Sequence, residues 1–110
     1  MNYNITGKHI TLTDAMKESV IHALHESEKF YDKIIDVSVI LTMDHRKFIA
    51  EAIMHIDGEK LFVKSEENDM YVAIADMGER LAHNLRRVKE KRNKVKHTSI
   101  RHIQEESDEY

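Results

Sequence analysis

Cysteine, proline and tryptophan are absent from this 110-residue chain, and glycine occurs only three times. Without cysteine there is no disulfide, no thiol nucleophile and no zinc site with cysteine ligands. The lack of proline and the few glycines predict long helices and strands joined by few loops. No apolar run approaches the roughly 18 residues of a membrane span, and the N-terminus has no signal-peptide pattern. We therefore expect one soluble, cytosolic domain.

Positive charge, by contrast, is abundant in one segment. Residues 80–97 hold eight of the 17 lysines and arginines with a single acid, Glu90, which gives +7 in a chain whose formal net charge is −3. An acidic protein that concentrates its cations in this way is expected to bind a polyanion, most commonly the phosphates of a nucleic acid. The alternative is a solvated helix end with no ligand.

The first third of the chain predicts a strand followed by a helix. Tyr3 to Thr6 has the composition of a short strand that ends at Gly7. Thr13 is a favourable N-cap, and Asp14 suits the positive end of a helix dipole. Apolar or small residues then recur at helical spacing over about five turns; they are Met16, Val20, Ala23, Leu24, Ser27 and Tyr31.

The middle of the chain predicts three strands. Residues 34–44 and 48–56 alternate between apolar and polar side chains. Asp57-Gly58 is a strong signal for a two-residue hairpin, and that turn fixes the register of the next strand. The inward pairs are then Ile56 with Glu59, Met54 with Leu61, Ala52 with Val63, and Ala50 with Ser65; the outward pairs include Ile53 with Phe62 and Glu51 with Lys64.

A second helix is predicted from Asn68 or Asp69 onward. Its buried stripe comprises Met70, Ile74, Met77, Leu81, Leu85 and Val88. At 100° per residue, a neighbouring stripe comprises Arg80, His83, Arg87, Lys91 and Lys94. Arg92 falls on the apolar stripe, so packing against the sheet is expected to end after Val88.

The predicted fold class is α+β: a two-layer β-α-β-β-β-α sandwich with a four-stranded sheet and two helices on one face. A right-handed crossover makes the first two strands parallel neighbours, and hairpins add the other two antiparallel. Ile40, Ile49, Ile53 and Phe62 are expected on the uncovered face of the sheet. Four clustered apolar residues suggest a protein contact there, in a protein that is a monomer or weakly self-associating.

Three stretches resemble the ribosome hibernation promoting factor family, to which the ribosome-associated inhibitor also belongs. They are NITGKHITLTDAM, AEAIMHIDGEKL and SEENDMYVAIADMGERLAHNL. The most specific element is the triplet Asp69-Met70-Tyr71, followed by Ala73-Ile74 and a basic amphipathic helix. The similarity covers residues 2 to 97, so residues 1–97 are assigned to one ribosome-binding domain, and residues 98–110 to a short acidic tail that we expect to be disordered.

The resemblance implies a fold similar to a double-stranded RNA-binding domain and a site on the 30S ribosomal subunit, on 16S rRNA between head and body. It implies overlap with messenger RNA and with the A- and P-site transfer RNAs, and hence repression of translation in stationary phase or stress. Short family members without a tail pair ribosomes with the help of a ribosome modulation factor, whereas a longer acidic tail keeps ribosomes single. The 13-residue tail leaves both outcomes open.

The family's basic positions fall on Arg80, Arg87 and Lys91, while one family arginine falls on His83, a departure that leaves this contact open because histidine in general is mostly uncharged at neutral pH. The full set of predicted RNA contacts is Arg80, His83, Arg86, Arg87, Lys91, Lys94, Tyr71, Lys29, Lys33, Arg46 and Lys47. Several have structural alternatives: Tyr71 packing against the domain, residues 44–47 forming only a polar turn, and Lys29 and Lys33 interacting with a helix dipole. Asp69 is expected to cap the helix rather than contact RNA.

Neither catalysis nor metal binding is expected. His22, His25 and Glu26 have a suggestive spacing but no fourth ligand in view, so surface histidines are the simpler interpretation. The sequence has no Ser-His-Asp arrangement and no glycine-rich phosphate loop, and no cofactor is predicted. Two other function classes stay open: a duplex-RNA-binding or RNA-chaperone module that acts away from ribosomes, and a helix-mediated protein adaptor.

Overall fold

The computed structural model describes residues 2–28 and 33–97, with the side chains of residues 2–27 and 33–91. The elements in chain order are β1 (Asn2–Lys8), α1 (Asp14–Glu28), β2 (Ile34–Asp44), β3 (Lys47–Ile56), β4 (Glu59–Glu67) and α2 (Met70–His97). The predicted β-α-β-β-β-α order is confirmed. No helix in the described ranges is long and apolar enough to cross a membrane.

The four strands form one sheet in the order β1-β2-β3-β4. β1 pairs with β2 in parallel, and β3 is antiparallel to both β2 and β4. The hairpin register predicted from Asp57-Gly58 is confirmed, with Ile56 opposite Glu59 and Ala50 opposite Ser65. Gly58 has a φ of 86°, a left-handed conformation that a two-residue turn requires and that glycine adopts without a steric cost.

One local expectation was wrong. β1 continues through Gly7 to Lys8, because its parallel ladder with β2 extends to the pair of Lys8 and Thr42. α1 spans 15 described residues, about four turns, and the predicted fifth turn with Tyr31 lies outside the described residues. Met43 shares the inward orientation of Leu41 on β2, and it is 43% exposed because it lies beside the turn at the end of the sheet.

The core lies between the two helices and one face of the sheet. The sheet contributes Val37, Val39, Leu41, Ala50, Ala52, Met54, Ile56 and Val63; α1 contributes Val20, Ala23 and Leu24; α2 contributes Met70, Ala73, Ile74, Met77, Leu81 and Leu85. Removing these side chains from water is the main force that holds the layers together. The opposite face of the sheet has no described helix against it: Ile40, Ile49 and Ile53 are half-buried there, and Phe62 is 56% exposed.

Both helices begin at the same end of the sheet. β1, β2 and β4 run in one direction and β3 in the other. Because α1 follows β1 and α2 follows β4, each helix starts at the end that carries the turn between Asp44 and Lys47. Each then runs back toward the end that carries Asp57-Gly58. We refer to these as the 44–47 end and the 57–58 end of the sheet.

Candidate nucleic-acid interface

The start of α2 is fixed by Asp69. Its Oδ1 accepts hydrogen bonds from the backbone N–H groups of Tyr71 at 2.8 Å and Val72 at 3.1 Å. These donors have no partner inside the helix, so a carboxylate at the N-cap satisfies them and also interacts favourably with the helix dipole. The predicted capping role of Asp69 is confirmed, and the first turn of α2 is thereby set against the end of β4.

The rotation of α2 about its axis is fixed by its apolar stripe. Met70, Ile74, Met77, Leu81 and Leu85 are each at most 4% exposed, and Val88 is half-buried. This is the predicted buried stripe, and it leaves the basic residues no freedom to rotate toward the core. The helix continues to His97, nine residues beyond Val88.

The basic stripe of α2 comprises Arg80, His83, Arg87 and Lys91. At 100° per residue these positions fall within an arc of about 80°. Arg80, His83 and Lys91 are exposed and Arg87 is half-buried. Arg87 and Lys91 also take part in interactions within the chain. Lys94 continues the stripe along the described backbone, although its side chain is outside the described residues.

Arg80 is anchored by a polar network that connects α2 to the sheet. Its Nε donates to Asp76 Oδ2 at 2.8 Å, and the Ser65 hydroxyl on β4 donates to the same oxygen at 2.7 Å. Ser65 is 1% exposed, whereas the Arg80 side chain is 56% exposed. A guanidinium carries five N–H donors, so Arg80 can hold Asp76 and still offer donors to a ligand.

The network also shows where the basic stripe lies. Asp76 is on the same side of α2 as Arg80 and Arg87, and it reaches Ser65 on β4, which is an edge strand of the sheet. The stripe therefore lies on the side of α2 that faces away from α1, along the edge of β4. A ligand that contacts it can approach without meeting α1.

Two predicted contacts on α2 lie away from this stripe. Arg86 is exposed, but it is about 100° around the helix from Arg87. Tyr71 is 46% exposed and lines a groove between α1 and α2 together with Ala15, Ser19 and Ala75. Tyr71 is about 160° around the helix from Arg87, so one RNA surface on the stripe does not include it.

The 44–47 end carries a second basic pair. His45 and Arg46 form a two-residue turn with φ values of 50° and 69°, and Lys47 Nζ donates to Asn68 Oδ1 at 3.0 Å. Positive φ at both central positions is typical of the tight turn that matches the twist of an antiparallel hairpin. The bond from Lys47 places this turn next to the beginning of α2, with Arg46 and Lys47 both exposed.

The predicted contacts thus fall into separate regions. Lys33 is exposed immediately before β2, at the 57–58 end, toward which the basic half of α2 runs. β2, about 36 Å long, separates Lys33 from the 44–47 turn. Lys29 lies outside the described residues. Lys33 and the later part of the stripe share one end of the domain, and Arg46 and Lys47 are at the other.

Asp76 and Ser65 were missed as participants by the sequence interpretation. The available signal was the inward position of Ser65, since a buried hydroxyl requires a hydrogen-bond partner. An acid at Asp76, four residues before Arg80, also favours a pair on one helix face. In the described part of the chain, no group of three His, Asp or Glu side chains is placed to hold a metal ion.

Residues 3–93 match the family described as Sigma 54 modulation protein / S30EA ribosomal protein. The chain belongs to this family. It is 34% identical over 91 residues to a ribosome hibernation promoting factor of Klebsiella oxytoca, a match that covers 83% of this chain and 96% of that protein. The factor of the same name from Escherichia coli K12 is 32% identical over the same shares of the two chains. The resemblance stated from the three sequence stretches is therefore confirmed.

Solved structures agree on the fold. The Thermus thermophilus Protein Y N-terminal domain has a TM-score of 0.75 and 27% identity, covering 80% of this chain and 99% of that one. A ribosomal subunit interface protein from Coxiella burnetii has a TM-score of 0.77 and 24% identity, covering 81% and 98%. The second likeness supports the fold alone.

Proposed function

We propose that this protein is a ribosome hibernation factor. In this proposal it binds the 30S subunit in the cytoplasm, places the basic stripe of α2 on 16S rRNA between head and body, and thereby represses translation in stationary phase or stress. Family membership and the names of the relatives support a ribosome-associated role that modulates translation.

The observation that carries the proposal is the fixed presentation of the basic stripe. Arg80, Arg87 and Lys91 are spaced by seven and four residues, so they extend over about 16 Å of a helix whose rotation is set by the core. Cations arranged in this way can follow a phosphate backbone without reading bases. We therefore expect binding that depends on the shape of folded RNA more than on its sequence.

Steric occlusion is the proposed output, and it requires no chemistry. A domain seated in the channel between head and body overlaps the paths of messenger RNA and of A- and P-site transfer RNA. Initiation is then blocked for as long as the domain stays bound. A ribosome modulation factor remains a proposed additional partner. The tail of residues 98–110, the proposed modifier of ribosome pairing, lies outside the described residues.

The first test replaces two cations of the stripe. Arg87→Glu/Lys91→Glu reverses two charges off the buried stripe, so we expect loss of co-sedimentation with 30S subunits while the circular dichroism spectrum is retained. The matched control is Lys60→Glu/Lys64→Glu, which makes the same change in net charge on two exposed residues of β4. We expect the control to bind like wild type at low micromolar protein.

Retained binding by the α2 variant, or equal loss in both variants, would contradict the assignment of the stripe as the RNA surface.

The class of function is tested separately with stationary-phase lysate. Protein that sediments with ribosomal particles supports the hibernation proposal, and protein that stays with soluble RNA favours a duplex-RNA-binding or RNA-chaperone module instead.

A further inference from the structure

The outer face of the sheet is a second surface that the proposed function leaves unused. It is formed by alternate residues of all four strands, because their neighbours on each strand point into the core. Both described helices pack on the opposite face. Ribosomal RNA held by the α2 stripe approaches along the edge of β4, so this face stays available in the proposed complex.

The centre of this face is apolar. Ile53 lies directly opposite Phe62 in the register of β3 and β4, and Ile40 and Ile49 lie nearby on β2 and β3. Phe62 is 56% exposed although it is a large aromatic side chain. A cluster of this kind on an otherwise polar sheet is more typical of a contact surface than of a face that only meets water.

Charge distinguishes this face from the rest of the molecule. The surrounding charged side chains balance: they are the cations Lys8, Lys47, Lys60 and Lys64 and the acids Asp36, Asp44, Glu51 and Glu66. A balanced face does not attract a polyanion, in contrast to the α2 stripe with its excess of cations. It also does not repel an identical face, so charge favours a second copy of this chain over RNA as the occupant.

The arrangement of charges along β4 fits a two-fold axis. Lys60 and Glu66 are both exposed and lie on either side of Phe62 and Lys64. When two copies meet face to face with an axis across the strands near Val63, Lys60 of each copy comes opposite Glu66 of the other. Opposite charges then meet at both ends of the interface, and Phe62 of each copy lies opposite the alkyl stem of Lys64 of the other, which is an isologous arrangement.

We propose that the outer face of the sheet is a weak self-association surface. Four strands about 4.8 Å apart and about nine residues long give a face of about 19 Å by 30 Å, or about 570 Å². Stable interfaces bury about 800 Å² per partner. A face below that size fits a weak dimer that forms only where the local concentration of the protein is high.

Sedimentation equilibrium from about 20 µM to 2 mM tests the surface. Wild type gains mass with concentration, and Phe62→Glu weakens the association at least about tenfold. The matched control is Val72→Glu, which changes an equally exposed apolar residue, 51% exposed, at the start of α2; it associates like wild type. A wild type that stays monomeric up to 2 mM overturns the proposal, as does a control that loses association equally.

The two-fold arrangement has its own test. Lys60→Glu weakens association because two like charges then meet at each end of the interface, and Lys60→Glu/Glu66→Lys restores it by exchanging the pair. A dilution series followed by amide NMR shows shift changes on outward residues of the strands. Failure of the double exchange to restore association, or shift changes confined to α2, overturns the arrangement.

Discussion

At the scale of single residues, Asp76 connects the sheet to the basic stripe of α2. One carboxylate oxygen accepts from the hydroxyl of Ser65 in the sheet and from the Nε of Arg80 on the basic stripe. The side chain of Asp76 is 26% exposed, so the network is partly removed from water. The same group thus satisfies a buried hydroxyl and holds a predicted RNA contact in place.

Replacing Asp76 by alanine is expected to destabilise the domain by about 1–3 kcal/mol, because the buried Ser65 hydroxyl loses its acceptor. Urea unfolding followed by circular dichroism measures this cost. Glu79→Ala is the control, since Glu79 is an exposed acid on the same helix; it is expected to change stability by no more than about 0.5 kcal/mol. Equal effects of the two changes would mean that the network does not stabilise the fold.

Replacing His83 by arginine is expected to strengthen the binding of the basic stripe to RNA. Histidine is mostly uncharged at neutral pH, so His83→Arg adds a permanent cation within the arc of Arg80 and Arg87. We expect about three- to tenfold tighter binding to 30S subunits, measured by filtration at fixed salt. His22→Arg makes the same charge change on the exposed side of α1 and should leave affinity near that of wild type. Equal gains would indicate only non-specific attraction.

At the scale of the elements, the packing of α1 on α2 depends on one close approach. A Cβ atom placed on Gly78 would lie 2.8 Å from the Cβ of Ala23, closer than real Cβ contacts allow. The Ser27 hydroxyl also donates to the Gly78 carbonyl oxygen at 3.5 Å. Small residues at this crossing let the helices approach, and that approach helps to set where α2 lies over β3 and β4.

Gly78→Ala tests this crossing. Alanine favours a helix by about 1 kcal/mol over glycine, but overpacking against Ala23 costs about 1–3 kcal/mol, so we expect a net loss of stability of up to about 2 kcal/mol. In an Ala23→Gly background the Cβ contact is removed and the backbone carbonyl oxygen of residue 23, at 3.2 Å, stays close, so the same Gly78→Ala change should cost less stability. Thermal unfolding of wild type, the two single variants and the double variant measures the coupling free energy between positions 23 and 78. Additive effects on stability would contradict a steric contact between the two positions.

The helix caps and the hairpin register were predictable because they depend on residues close together in the sequence. Asp69 and Thr13 cap helices through side-chain bonds to residues two or three positions away, and Asp57-Gly58 fixes a register through its own turn. The bond from Ser65 to Asp76 was not predictable in the same way, because it depends on how a helix docks on a strand. The position of Tyr71 in the groove between the helices depends likewise on α1 lying beside α2.

For the candidate site, the residue types were predictable and their grouping was not. The arc of Arg80, Arg87 and Lys91 follows from helical spacing alone. Arg46 and Lys47 lie far from Lys33 because β2 runs the length of the sheet between them. The sequence alone did not show that these basic residues lie in separate regions of the domain.

At the scale of the whole molecule, the distribution of charge is expected to orient the protein on its target. Residues 80–97 carry +7, while the chain as a whole carries −3, so the rest of the chain is strongly acidic. A polyanion such as ribosomal RNA attracts the α2 stripe and repels most other surfaces. The protein should therefore dock in one orientation, with its acidic parts directed away from phosphate.

The most direct test of this account is a cryo-electron microscopy structure of the protein bound to the 30S subunit. We expect α2 in the channel between head and body, with Arg80, Arg87 and Lys91 within hydrogen-bonding distance of 16S rRNA phosphates and the sheet facing away from them. Density that placed these three side chains in bulk solvent, or the domain outside that channel, would contradict it.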